Sequence, residues 1–299
     1  MNKEKDFIDS KVSHGKSTYW SQVAILVVSF SILYFQTIMK MGKDWLGDPN
    51  FSHGFLIPLV AGYMIWHNKA LLSTLTLKPK NWGLLLIVAG MFLYTVGSLG
   101  AELFIQRFSI IVTISGLSIY LLGDSITKKI AVPLLYLLFM IPIPAIVWNK
   151  IAFPMQLFAS DLSFKAIYFL GITVLREGNI LQLANTNLEV VDACSGLRSL
   201  TSLLALNAAF AYLVPISVIR KWVLFLSAVP IAIAVNVFRL TLTAVMARVI
   251  GPETAQGFLH EMSGLLVFVL AFVILLGIYS ILSRPKKGDQ NKSDSSNHG

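Results

Sequence analysis

Residues 222–249 read WVLFLSAVPIAIAVNVFRLTLTAVMARV. This apolar run is longer than the roughly 20 residues that carry a helix across a bilayer, so it predicts a membrane span. Inside it stands Arg239. A guanidinium in hydrocarbon is costly, so a functional or paired role is its default reading. Asn236 lies three residues earlier on the same helical face and can hydrogen-bond within a site or across helices. Pro230 is expected to kink the helix and open a cavity.

The rest of the chain has the same character. Hydrophobic residues make up 56% and charged residues 13%, and mean hydropathy is +0.72. A soluble domain carries roughly a quarter charged residues. Apolar stretches fall at 20–39, 54–66, 82–99, 103–123, 130–148, 198–214, 222–249 and 262–282. The expected fold is an all-α polytopic membrane protein of about eight transmembrane helices, with a small extracytoplasmic hairpin before the only cysteine. The second stretch is short and contains Pro58. Residues 151–172 are a ninth candidate interrupted by Asp161 and Lys165, expected as an amphipathic segment at the interface or packed inside the bundle. Pro142 and Pro144 are expected to kink the fifth span.

The net charge of +9 invites a nucleic-acid partner, but the charges fall in short runs between apolar segments, as topology signals do. With a cytoplasmic N-terminus and eight spans, 15 of the 24 Lys and Arg residues lie inside and 5 outside. The other four are Arg107, Arg198, Arg239 and Arg248, in or at the ends of spans. This bias puts both termini in the cytoplasm. The expected organisation is a cytoplasmic segment 1–19, a transmembrane domain 20–282 and a disordered cytoplasmic tail 283–299. The first span reads as a retained anchor, because a small-residue cleavage site is lacking.

Residues 149–197 then lie outside. The runs Ile180–Leu183 and Leu188–Val191 flank an Asn-rich turn and suggest a hairpin. It delivers the chain to Asp192-Ala193-Cys194-Ser195-Gly196-Leu197-Arg198-Ser199. A lone thiol cannot close an intramolecular disulfide or build a thiolate metal cluster; no metal or cofactor is required. Cys194 either packs as a small apolar residue or acts as a nucleophile.

Chemistry follows from the topology, which puts three groups at one depth near the outer face. Cys194 precedes the sixth span. Arg239 sits about 25 Å along the seventh. His260 ends the last outer loop, just before the eighth. A helix N-terminus favours a thiolate. Arg198 lies four residues on and either supports that thiolate or snorkels to headgroups. Arg239 can hold a thiolate or an oxyanion. His260 can move a proton at physiological pH, although alone it reads as an ordinary interfacial histidine. Asp192 caps the helix or orients a catalytic group. Arg107 is positioned to pair with Glu102. In Ser52-His53-Gly54-Phe55-Leu56-Ile57-Pro58, Ser52 is the expected N-cap of the second span, and His53 is at the right depth to join the site.

These motifs resemble the exosortase/archaeosortase family of membrane cysteine transpeptidases. The matching pieces are Ser52–Pro58, Ala193–Leu200, Asn236-Val237-Phe238-Arg239, and His260 with Gly264. The resemblance covers about 50 to 280. It implies cleavage of exported proteins at a C-terminal sorting signal: a short motif of the Pro-Glu-Pro (PEP-CTERM) type, a transmembrane helix and a basic tail. It further implies transfer to an amine- or hydroxyl-bearing acceptor, a lipid or glycan, at the outer face of the inner membrane. By the same resemblance Cys194 is the nucleophile, Arg239 the stabiliser and His260 the proton carrier, and such genes often accompany exopolysaccharide production. An intramembrane protease using water, and a transporter or polysaccharide-export component with Arg239 and Arg107 as anion contacts, are the competing readings.

Overall fold

The computed structural model describes residues 2–284 apart from Pro49, Asn185 and 191–196; for 2–20, 197–199 and 252–265 it describes the backbone alone. The chain forms two compact units, Met1–Pro142 and Ile143–Gly299. Cys194 and Asp192 lie outside the described residues, as does the tail beyond Arg284.

The first unit contains α1 (Asn2–Gly47), a 3-10 turn at Ser52–Phe55, α2 (Leu56–His67), α3 (Lys69–Ser73), α4 (Gly83–Leu99), α5 (Leu103–Leu122), α6 (Asp124–Tyr136) and a 3-10 turn at Leu137–Met140. Its tightest contact is between α4 and α5. Gly83, Gly90 and Gly97 are the buried residues of α4, seven apart on one stripe. A Cβ at Gly83 would come 2.5 Å from the Tyr120 amide nitrogen, and one at Gly97 would come 2.6 Å from that of Gln106. A Cβ at Gly90 would strike the Thr113 hydroxyl. Small residues let two membrane helices meet backbone to backbone, where dispersion replaces the missing hydrophobic drive.

Thr113 is itself engaged. The fully buried Tyr34 of α1 shares its hydroxyl with Ser109 Oγ at 3.1 Å and Thr113 Oγ1 at 2.9 Å. Further along the same pair of helices, Arg107 is 3% exposed and forms an ion pair with Asp44. Glu102, the partner expected from the sequence, instead caps α5, accepting from the Phe104 amide at 3.5 Å. A local acid at the helix start is held by the helix's own orphan amides, which leaves Arg107 to the carboxylate of α1.

The second unit contains α7 (Ala145–Phe169), strands β1 (Val174–Glu177), β2 (Ile180–Leu183) and β3 (Asn187–Glu189), then α8 (Leu197–Leu213), α9 (Val218–Leu226), α10 (Ala228–Val249) and α11 (Pro252–Ser283). The strands form one antiparallel sheet in the order β1-β2-β3. The expected runs around the Asn-rich turn pair as β2 and β3, with Leu181 opposite Leu188. β1 adds a third strand that was not anticipated, closed by a turn in which Gly178 takes φ +64. Leu181, Leu188 and Val190 bury one side of the sheet with Ala159 and Ile167 of α7 and Leu240 and Ala244 of α10. Arg176 ties β1 to α7, donating to Asp161 Oδ1 at 2.9 Å and to the Leu157 carbonyl at 3.3 Å. A second core joins Leu203 of α8, Leu224 of α9, Ala228 to Val235 of α10 and Val267 to Leu275 of α11.

Among the described residues, four helices are long and apolar enough to cross a membrane: Ser21–Gly47, Leu103–Leu122, Val218–Val249 and Leu266–Ser283. A fifth is counted if Asp124–Met140 and Ala145–Phe169 together make one broken span. The eight expected spans do not appear as eight such helices. The second is a 3-10 turn followed by 12 residues of α2, and the third and sixth are the 17-residue α4 and α8. The fifth, expected at 130–148, stops at Met140 and a new helix begins at Ala145. Pro142 and Pro144 lack the amide that would continue the ladder, so the chain breaks there instead of kinking. Residues 151–169 become the body of α7, with Asp161 and Lys165 paired at 2.7 Å, and 170–172 form the turn that follows. At Pro230 the reverse holds. The interruption falls at Ser227, between α9 and α10, and the proline occupies the first turn of α10, where its missing amide is an orphan anyway.

Two outcomes test these packing assignments. Gly90→Val should lower the stability of the detergent-solubilised protein by about 2 kcal/mol through overpacking against Thr113, whereas Gly62→Ala, whose Cβ would meet nothing within 4 Å, should be neutral or stabilising in thermal unfolding. Asp44→Ala should cost about 3 kcal/mol by stranding a buried guanidinium, at the low end for such pairs because Asp44 is 43% exposed, and adding Arg107→Met should recover much of it.

Candidate active site

α10 carries two polar side chains on its buried face. Asn236 is 1% exposed and Arg239, one turn later, is 8% exposed. They share that face with Ile231, Ala232, Val235 and Leu240. Neither is left without a partner. The turn after Arg239 is tied down by the Thr243 hydroxyl, which donates to the Arg239 carbonyl at 2.9 Å.

Helical rise sets the level of this pair against its neighbours. In the shared core, Ala228 to Val235 of α10 meet Val267 to Leu275 of α11, so the two helices run antiparallel. They are joined through Ile250 and Gly251, whose φ is +113. Arg239 lies about 15 Å down α10 from that turn, and His260 about 12 Å down α11. The two positions therefore share a depth to within a helical turn. His260 is not in the loop where the sequence suggested it. It belongs to α11, which starts at Pro252, because proline at the first helical position and the left-handed glycine before it start the helix early.

α8 can be placed in the same way. Asn207 of α8 donates to the Leu224 carbonyl at 3.2 Å, which pins the two segments together. Leu197 is about 15 Å from Asn207 along α8, and Arg239 is about 22 Å from Leu224 along α9 and α10. Arg239 thus lies about 7 Å beyond the level at which α8 begins, three residues after Cys194 in sequence. Arg198 sits in the first turn of α8.

His53 belongs to a different cluster, in the first unit. It is half-buried in the 3-10 turn at Ser52–Phe55, and its ring donates to the Phe139 carbonyl. Ser52 does not cap α2, because the turn itself leads into the helix. The adjacent Gly54 is required by the Trp45 indole, onto which a Cβ would collide. Trp45 donates Nε1 to the Met140 carbonyl at 2.9 Å and packs edge-on against Phe55 at 4.9 Å. Trp45, Asp44 and the Phe139 carbonyl were not recognised from sequence. Asp44 and Trp45 offered no signal, because their partners lie 63 and 95 residues away.

Burial, partly offset by the Phe139 hydrogen bond, holds the His53 pKa below its usual 6.5. The unfolded chain therefore takes up a proton first as the pH drops. Stability from this position is present above pH 6.5 and is lost as the pH falls through the folded value. His53→Gln keeps an N–H donor and should flatten the dependence of melting temperature on pH below 6.5.

The second unit is thus a helical bundle in which α10 buries an Asn-x-x-Arg turn on its packed face. Residues 45–277 match the model of the family described as transmembrane exosortase (Exosortase_EpsH), more than three quarters of the chain. The chain belongs to the transmembrane exosortase family, and with it to a group for which a membrane transpeptidase role is the common assignment. No curated protein and no solved structure matches it.

Proposed function

We propose that this exosortase is a cysteine transpeptidase that cleaves a C-terminal sorting signal of the PEP-CTERM type from exported proteins and transfers them to a lipid or glycan acceptor. The observation that supports the reading is the depth-matched set on the helices of the second unit: Arg239 more than nine-tenths buried on α10, His260 level with it on α11, and α8 starting just after Cys194 in sequence. A buried arginine with an amide one turn away has a purpose in a membrane protein.

Bond changes follow from the residue types. The Cys194 thiolate attacks the scissile carbonyl, and a C–S bond forms. Arg239 stabilises first the thiolate and then the oxyanion. The C–N bond breaks as His260 gives its proton to the leaving amine. An acceptor amine or hydroxyl then yields a proton to His260 and attacks the thioester, which restores the thiolate. Arg198 and Asn236 support the charged groups, and Asp192 caps or orients. The Lys and Arg bias supports cytoplasmic termini and an active site on the outer side of the inner membrane.

The test is a membrane-expressed reporter bearing a Pro-Glu-Pro-type tail, followed by immunoblot. Wild type should shorten it, Cys194→Ala should not, Ser195→Ala should, and Arg239→Ala should slow processing about a hundredfold, the cost of losing an oxyanion donor. The mass of the new C-terminus separates transfer from hydrolysis. Equal shortening by wild type and Cys194→Ala removes the nucleophile, and unimpaired cellular function in Cys194→Ala without any shortening favours a transporter.

A further inference from the structure

At one end of the second unit three chain reversals enclose a pocket of about 160 Å³. The turn after α7 supplies Gly171, Ile172 and Thr173, the turn between β2 and β3 supplies Leu183 and Thr186, and the last turn of α10 supplies Arg248. Gly171 adopts φ +70, a conformation open to glycine at little cost, and its carbonyl accepts from Arg248 Nη1 at 3.0 Å. That bond anchors the guanidinium by one of its five N–H groups. Among the described residues Arg248 has no ion-pair partner: the ion pairs there join Arg107 to Asp44 and both Lys165 and Arg176 to Asp161. An arginine guanidinium tethered by one hydrogen bond beside Thr173 in a half-enclosed pocket is the chemistry of an oxyanion site.

The surroundings identify the oxyanion. The membrane-crossing segment Val218–Val249 ends one residue after Arg248, so the guanidinium lies at the level where headgroups begin. Beside the pocket, Tyr168, Phe169 and Leu170 at the end of α7 and Val249 and Ile250 at the end of α10 are exposed, Phe169 to 89% and Val249 to 75%. Aromatic side chains next to a cation are the pattern of a membrane interface. A free phosphate would leave this apolar rim bare, whereas acyl chains would cover it. We infer that the pocket binds the headgroup phosphate of a membrane phospholipid, with Arg248 as its anchor and Thr173 beside it. This inference is independent of the peptide chemistry proposed for the second unit.

The measurement is native mass spectrometry of the full-length protein released from detergent, with phosphatidylglycerol, diacylglycerol or inorganic phosphate added. Wild type should hold one tight phosphatidylglycerol adduct and no equivalent diacylglycerol adduct, and inorganic phosphate should not displace it. Arg248→Gln should weaken that adduct about tenfold, the scale of a charge-assisted hydrogen bond, Arg248→Lys should retain part of it, and Thr173→Val should weaken it less. Should Arg248→Gln fail to fold, Arg248→Lys and Thr173→Val carry the same comparison. Equal binding by wild type and the variants, or equal retention of diacylglycerol, overturns the site. Displacement by inorganic phosphate overturns its assignment to a lipid.

Discussion

A guanidinium inside an apolar helix must find company, and this requirement organises both halves of the molecule. Arg107 on α5 is satisfied by Asp44, which fixes how α1 meets the α4–α5 pair. Arg239 on α10 is drawn to the buried face with Asn236, which fixes the rotation of α10 within its bundle. In hydrocarbon the alternative to such pairing is an unsolvated charge, which costs more than most single packing contacts return. Neither helix can turn about its axis without exposing that cost.

Close backbone approach is the second constraint. The stripe Gly83, Gly90 and Gly97 leaves α5 no gap to fill, and the Thr113 hydroxyl that lies over Gly90 is the one that Tyr34 holds from α1. Packing and polar satisfaction therefore support one another in the first unit. In the second unit a three-stranded sheet does the corresponding work. It is clamped to α7 by Arg176 and Asp161, and its apolar side covers Leu240 and Ala244 on α10, within about a turn and a half of Arg239. The helix that carries the arginine is thus gripped along its length.

The α10–α11 turn brings Arg239 and His260 to within about a helical turn of one level, 12 residues before and 9 residues after Gly251. The cation at Arg248, nearer the end of α10, serves a different surface, where the exposed aromatic residues of α7 meet the headgroups.

The sequence by itself determined the membrane class, because apolar runs of this length admit few alternatives, and it marked Arg239 and Asn236, because polar residues inside such runs are conspicuous. It also located the β2–β3 strand pair through its turn chemistry. Tertiary structure alone decided which carboxylate holds Arg107, since Glu102 and Asp44 are equally acidic in sequence and only helix packing separates them. It decided that the fifth expected span breaks at Pro142–Pro144, and that His260 lies within α11 instead of before it. It also decided that Gly54 exists for the Trp45 indole. These outcomes depend on contacts between residues far apart in the chain, and local hydropathy carries no information about such contacts.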